Sequence, residues 1–326
     1  MTSVSTPTLD RITVYPVKSL DGVAVTEARL LPGAGLEHDR RWQLVDLDGR
    51  AVNAKRTAIL HAIRAEYAIE GLAAAGQGGG LPAAGPLSGG DLPRLAANVI
   101  AVAVDPAALA AGAVPGIERL RSLTPDVFPL VPGSAGPCAW LSEALGFSVL
   151  LMERAEGGFP DDRDAPGPTL AATATLAEVA RWFAFPLDES RRRFRVNLEV
   201  GGCDAFWEDS LASPALPGLE RAIGEAEAGL PADPYAALPP PEPRAFTIGA
   251  ARVVATNVCR RCIVPSRNSR TGAETACFRD AFEARRSHSL RPDVDASAWS
   301  HLYRLAVNMV ATDAAHCLRI DDAVID

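Results

Sequence analysis

Residues 257–272, NVCRRCIVPSRNSRTG, follow the apolar run ARVVAT (251–256) and end on the turn pair Thr271-Gly272. A β-branched run ahead of a Cys-x-x-Cys and then a turn-rich segment predicts a strand that delivers two thiols into a loop. Two other stretches carry cations at comparable places, YPVKSLDG (15–22) and RRRFRVNLEVGG (191–202). In the latter, Phe194, Val196, Leu198 and Val200 alternate with Arg195, Asn197 and Glu199, which predicts one strand with a polar face.

Working outward, Ile12 and Val14 alternate with polar neighbours. Trp42, Leu44 and Leu47 run into Asp48-Gly49, a strong hairpin signal, and Ala51-Val52 begin the return strand. NVIAVAV (98–104) reads as a strand, PCAWLSEALG (137–146) as a helix stopped by Gly146, and Val149–Met152 as a short strand. Thr175-x-x-Glu178 is a capping box ahead of the helical face Leu176, Val179, Ala180 and Phe183. Phe246–Ile248 and Ala251–Ala255 form a hairpin, and Phe278, Ala281, Phe282 and Arg285 are helix-spaced. Leu302–Val310 and Cys317–Ile320 close the chain as strands. The stretches 72–94 and 229–245, rich in Gly, Ala and Pro, read as surface loops. With strands dominant and no βαβ alternation visible, the expected fold class is mostly β with α (α+β).

At 326 residues, two domains are expected, and 155–168 (AEGGFPDDRDAPGP) is the expected junction. Forty-eight per cent hydrophobic and 22% charged residues describe a globular chain, with no apolar run of the ~20 residues that span a bilayer. MTSVSTPTLDR has no secretory-signal pattern, so the expectation is a cytoplasmic protein with reduced thiols at Cys138, Cys203, Cys259, Cys262, Cys277 and Cys317. The net charge of −8 argues against nucleic acid and anionic membranes as partners, so an anionic ligand needs a local cationic cluster. Lys18 and Lys55 are the sole lysines in an arginine-rich chain, and Lys18-Ser19 at a strand end offers an ammonium, a hydroxyl and turn amides to a phosphate. The alternative is a solvated strand end.

Cys259-Arg260-Arg261-Cys262 admits several readings. A thioredoxin-type motif lacks its βαβ context, and a zinc site lacks a third and fourth ligand at proper spacing. A single thiolate on a soft transition metal, beside two arginines, remains open, as do two inert packing cysteines. Arg195 and Asn197 likewise suit either an anion or solvent. No Gly-x-Ser-x-Gly elbow and no phosphate-binding glycine loop occurs.

In order along the chain, YPVKSLDG, GLEHDRRW (35–42), LAATATLAEV (170–179), RFRVNLEVGG (193–202) and NVCRRCI (257–263) resemble the MOSC-domain molybdenum enzymes. The resemblance is to the branch with an N-terminal β-barrel, which includes the mitochondrial amidoxime-reducing component and bacterial relatives. It implies an N-terminal β-barrel domain over 9–155 packed on a MOSC β-barrel domain with peripheral helices over 156–326. It further implies the molybdenum cofactor (Mo-molybdopterin) between them. Cys262 is then the metal ligand and catalytic centre. Lys18, Ser19, Arg40, Asp164, Arg195, Asn197, Arg260 and Arg261 bind the cofactor, and Cys259 packs beside it. The implied reaction is two-electron reduction of small N-hydroxylated or N-oxygenated compounds. Without a ferredoxin-type cysteine set, electrons come from a separate flavoprotein, ferredoxin or cytochrome-type donor. A cofactor carrier or sulfur-handling module without turnover is the alternative, and a metal-free binding barrel the third possibility. The chain departs from the family pattern at Arg267–Arg270, at Ala172 in place of Ser, at Leu211 in place of Trp, and in a long segment over 277–300.

Overall fold

β1 (Thr8–Val14), β2 (Val23–Val25) and β3 (Glu27–Leu30) open the chain in a computed structural model that describes residues 6–72, 98–162, 165–212, 245–292, 294, 296 and 299–325. Asp164 and nearly all of the two low-complexity stretches lie outside the described residues. β4 (Trp42–Asp46) and β5 (Ala51–Val52) form the hairpin that Asp48-Gly49 predicts. Gly49 takes φ +77°, and Asp46 Oδ1 accepts the amides of Asp48 (3.0 Å) and Arg50 (2.9 Å). Leu47, read as part of the strand, sits in the turn and is exposed.

β6 (Ile63–Ile69), β7 (Asn98–Val104), α1 (Pro106–Ala111), β8 (Asp126–Pro129), α2 (Ala135–Leu145) and β9 (Val149–Glu153) follow. α1 starts where Asp105 caps the Ala107 amide ahead of Pro106, and α2 stops at left-handed Gly146. β4, β5 and β9 make one three-stranded sheet and β6, β7 and β8 another. Their apolar faces meet in one core around Trp42, Leu44, Ile63, Ile100, Leu141 and Leu151.

The second half comprises β10 (Thr169–Ala172), α3 (Thr173–Trp182), α4 (Leu187–Phe194), β11 (Leu198–Gly201), β12 (Ala245–Ile248), β13 (Ala251–Arg260), α5 (Phe278–His288), β14 (Arg304–Ala311), β15 (His316–Arg319) and β16 (Val324–Ile325). An eight-stranded sheet runs β16-β12-β13-β14-β10-β11-β1-β2, so the first two strands of the chain belong to it, while β3 pairs with β15. Its core centres on Leu9, Ile12, Leu170, Leu198, Val253 and Met309. The class is α+β, as the sequence predicts. Among the described residues no helix is long and apolar enough to cross a membrane.

Three sequence expectations are corrected. The run 194–200 is not one strand: Phe194 ends α4, Arg195 is left-handed at φ +53°, and β11 begins only at Leu198. Charge placement explains this. Asp188 and Glu189 lie in the first turn of α4 and Arg191–Arg193 in the last, each sign at the helix end that favours it. Glu189–Arg193 (2.6 Å) and Asp188–Arg191 (3.0 Å) add helix-spaced pairs. Second, Thr175-x-x-Glu178 is no capping box, because α3 starts two residues earlier. The Thr175 hydroxyl instead donates to Glu208 (2.9 Å) and accepts from the Phe206 amide (2.6 Å). Third, β10 and β11 pair parallel through α3 and α4, one βαβ crossover that the sequence did not reveal.

A third, aromatic core joins Trp182, Phe194, Phe206, Phe278, Phe282 and Tyr303. Beneath it Arg286 pairs with Asp209, both essentially solvent-free, its guanidinium 4.0 Å over the Phe206 ring. Taking one partner from a buried pair strands the other charge, so Arg286→Ala is expected to cost about 3–5 kcal/mol in urea unfolding. Nearby, burial and then the Asp209 carboxylate push the Glu208 carboxyl well above its ordinary 4.5. The folded chain therefore keeps a proton that the unfolded chain releases. This site's contribution is full below pH 4.5 and is lost as pH rises through the folded value. Glu208→Gln is expected to flatten the alkaline decline of the unfolding free energy.

Candidate functional site

YPVK and DRRW zip together. The Lys18 amide donates to Trp42 O (2.8 Å), the Trp42 amide to Pro16 O (3.0 Å) and the Arg40 amide to Tyr15 O (2.7 Å). Ser19, His38 and Arg40 are all left-handed, so this corner is tightly folded for non-glycine residues. Asp39 sits inside it. Its Oδ1 accepts the Tyr15 amide (2.8 Å) and Asn197 Nδ2 (3.1 Å), and its Oδ2 takes the Arg40 guanidinium. Asn197 also donates to Thr13 O (3.0 Å), so both its amide hydrogens are engaged within the protein. Its Oδ1 accepts from the Thr169 amide and hydroxyl (both 3.2 Å) and from Arg40 Nη1 (3.4 Å).

Lys18 and Arg40 converge on Asp161, at 3.0 Å and 3.3 Å. The Lys18 ammonium also donates to Phe159 O and Pro160 O, both at 3.2 Å. The carboxylate side chain between them remains 57% exposed while the cations are 14% and 12% exposed, so an external anion could reach the same two groups from solvent. Gly158 allows this approach: it sits at φ +58°, and a Cβ there would lie 2.4 Å from Asp39 O. Arg40 and Lys18 together hold the Asp161 carboxyl far below its ordinary value. Arg195 stands behind the cluster, its guanidinium 4.1 Å over the Tyr15 ring and Nη1 donating to Leu20 O (2.7 Å). The Ser19 hydroxyl accepts the Ala54 amide (3.1 Å).

The cysteines sit at the other end of the site. β13 pairs with β14 through two irregularities, one at Thr256 and one opposite left-handed Ala306. These bulges twist the end of β13. Cys259 turns inward, 5% exposed, donating to Asn308 Oδ1 (3.0 Å), whereas Arg260 is exposed. Cys262 follows the strand end and lines a cavity of about 400 Å³ with Arg261, Ser266, Thr275, Cys277 and Tyr303. The Arg261 guanidinium donates to Phe194 O (2.5 Å), at the negative end of α4, and its buried Nε has no partner in the described structure. The Tyr303 hydroxyl is likewise buried and unpartnered. Among the described residues no cluster of three His, Cys, Asp or Glu side chains could hold a metal.

Two links join these ends. Phe194 O receives Arg261 while the adjoining Arg195 reaches Leu20, and the loop after Gly158 puts Asp161 on the cations and Asp162 3.4 Å from Asn308. Thus Lys18, Arg40, Arg195 and Asn197 come together, and Arg261 and Cys262 come together. Arg260 faces away, and Asp164 lies outside the described residues. Sequence reasoning missed Tyr15, Asp39, Asp161, Tyr303 and Cys277. For Asp39 a signal existed, its place beside Arg40 in GLEHDRRW. The departures at Arg267 and Arg270 serve as clamps onto the N-terminal half: Arg267 donates to Ala54 O (2.6 Å) and Arg270 pairs with buried Asp105 (2.7 Å).

Fold and site describe a β-rich protein with a thiol on a cavity wall and a separate cationic cluster, linked through the end of α4. Residues 6–101 match the family model of the MOSC N-terminal beta barrel domain. The chain is similar to the molybdenum cofactor sulfurases of Drosophila erecta and Drosophila yakuba, 28% identical over 222 residues, and to that of Drosophila melanogaster, 27% over 226. Each alignment covers 66% of this chain and 26% of the relative, so the chain spans about a quarter of the length of the curated relatives it matches.

A depressed carboxylate stabilises what it holds above its ordinary pH range, here 3.8, and the gain is lost as pH falls through the lower folded value. Hydrogen exchange at the Phe159 amide, which donates to Arg40 O (2.9 Å), is expected to accelerate in acid beyond the intrinsic rate. Asp161→Asn should exchange fast at every pH. Equal protection in variant and parent would show that the carboxylate does not hold the loop.

Proposed function

We propose that the chain binds the molybdenum cofactor, with Cys262 as the protein's ligand to the metal, and reduces small N-hydroxylated or N-oxygenated compounds. The observation that carries this reading is the Cys262 thiol on a cavity wall, tied through Arg261 and the end of α4 to the Lys18–Arg40–Arg195 cluster. The donor set fits a pterin that carries a phosphate and a dithiolene. Cations and turn amides suit the phosphate, a lone thiolate completes a metal that brings its own sulfur ligands, and unpartnered Arg261 Nε awaits an acceptor. When bound, the cofactor supplies two-electron oxygen-atom-transfer chemistry.

The chain's own residues have separable tasks in this reading. Lys18 and Arg40 hold the anion once Asp161 gives way, and Asp39 and Asn197 orient Arg40. Among the described residues Arg195 and Arg261 have no carboxylate partner, so they add positive charge. The Tyr303 hydroxyl, whose pKa burial raises, stays protonated at neutral pH and can donate a hydrogen bond into the cavity. The electron donor is a separate protein of flavoprotein, ferredoxin or cytochrome type. A sulfur-handling role on the same cofactor is the second reading, favoured by the sulfurase names of the relatives and by a second thiol, Cys277, on the cavity wall.

Protein made in a host that synthesises the cofactor is expected to hold about one Mo per chain by elemental analysis. Cys262→Ser should lose the metal while keeping its unfolding midpoint, and Lys18→Ala with Arg40→Ala should lose the pterin as well. Full Mo retention in Cys262→Ser would overturn the ligand assignment. Loaded protein that fails to oxidise a chemical electron donor in the presence of amidoximes, hydroxylamines or N-oxides would leave the sulfur-handling reading.

A further inference from the structure

Cys262 has two neighbouring thiols by different criteria. Cys259 is near in sequence, and the Cys-x-x-Cys spacing invites a pair between them. The structure separates their environments. Cys259 lies within β13 and is 5% exposed, packed in the aromatic core with its thiol on Asn308. Cys262 lies beyond the strand end, on the cavity wall.

Cys277 is fifteen positions away, yet lines the same cavity of about 400 Å³. The intervening chain folds back on itself. Asn268 N donates to Ala273 O (2.8 Å), Arg267 and Glu274 form an antiparallel bridge, and Thr275 N donates to Ser266 O (2.8 Å). Beyond this pairing the chain leads back through the 3-10 turn Val264–Ser266 to Cys262 on one side and on to Cys277 on the other. Arg193 clamps the two sides, its Nη1 donating to Pro265 O (3.2 Å) and to Thr275 Oγ1 (3.1 Å). Cys277 is exposed, left-handed at φ +52°, and its side chain caps no amide of α5.

We propose that Cys262 and Cys277 are a redox pair that closes to a disulfide across the cavity and thereby withdraws the Cys262 thiol. The oxidant is a low-molecular-weight disulfide of the glutathione type. The exposed Cys277 thiolate attacks one of its sulfurs, the S–S bond breaks, and one small thiol leaves. The half-buried Cys262 then attacks the Cys277 sulfur of the mixed disulfide and expels the second small thiol. The protein gives up two electrons and two protons, and the small disulfide becomes two thiols. A dithiol reductant reverses the exchange. That closure would regulate metal binding rests on the proposed ligand role of Cys262; the disulfide itself does not.

The test treats purified full-length protein with oxidised glutathione, quenches with acid, digests without reductant and maps the peptides by mass. A Cys262–Cys277 linked peptide, two hydrogens lighter than the separate thiol peptides and absent after dithiothreitol, is the expected result. Cys277→Ser should abolish it, Cys262→Ser should abolish it and leave a stable glutathione adduct on Cys277, and Cys259→Ser should keep it. A Cys259–Cys262 link, or adducts on Cys262 and Cys277 that never resolve into a link, would overturn the pairing. Mo content measured on the same samples reports the ligand role separately. A link in protein that never takes up Mo would sink that role and leave the pair standing.

Discussion

One buried carboxylate, Asp39, organises the ground on which the cationic cluster stands. A charge taken out of water is tolerated only where donors replace its hydration. Asp39 finds them in three places, the end of β1 through the Tyr15 amide, the α4–β11 connection through Asn197, and its own neighbour Arg40. Asn197 passes the constraint onward to Thr13 and Thr169. The order β10-β11-β1 in the large sheet and the position of Arg40 are thus set by one hydrogen-bond network. In such a network no member moves alone, because each donor that leaves strands an acceptor in a low-dielectric interior.

The arginines then divide by the chemistry of their partners. Arg191, Arg193 and Arg286 meet carboxylates that neutralise them, and each stabilises a helix or a core. Arg195 and Arg261 are anchored by carbonyl oxygens of Leu20 and Phe194, which fix direction without cancelling charge. Lys18 rests on two carbonyls as well, and its carboxylate partner among the described residues, Asp161, comes from a loop and faces solvent. A cation held by neutral oxygens keeps its field for something else. In a chain of net charge −8, that local excess is the feature an anionic ligand would find.

This division explains what the sequence disclosed and what it hid. Strand periodicity placed β1, β4, β7, β12, β13 and β14, since each is set by which face is buried. It failed at 194–200, where alternation and a helix end look alike. There the deciding facts are the charge order of α4 and a left-handed Arg195, and no period-2 count detects either. Five short motifs taken together nominated Lys18, Arg40, Arg195 and Cys262, and the structure brings the three cations of that set together. Asp161 was not legible, because its role depends on where Gly158 lets a loop pass. Nor was Cys277: what brings it to the Cys262 cavity is pairing within 266–275, and polar turn sequence gives no sign of register.

The same segment shows how a familiar site is made particular to this chain. Its arginines clamp the chain beyond Cys262 onto the N-terminal half, through Ala54 O for Arg267 and buried Asp105 for Arg270. Asp105 in turn caps α1 and lies 3.6 Å from Arg64, which itself donates to Ser269 O (3.2 Å). Buried charge shared among several partners makes this joint stiff, since losing any one leaves the others uncompensated. The cation cluster and the thiol cavity therefore answer to different parts of the sequence. The cluster depends on the Asp39 network, of which Tyr15, Asp39, Arg40 and Asn197 fall within the motifs that carry the family resemblance. The cavity wall draws mostly on 263–280, which includes the departures at Arg267–Arg270 and the start of the long segment over 277–300. Under the proposed function, the first sets which cofactor is held and the second which small molecule meets it, so substrate preference can change along 263–280 without disturbing the anion site.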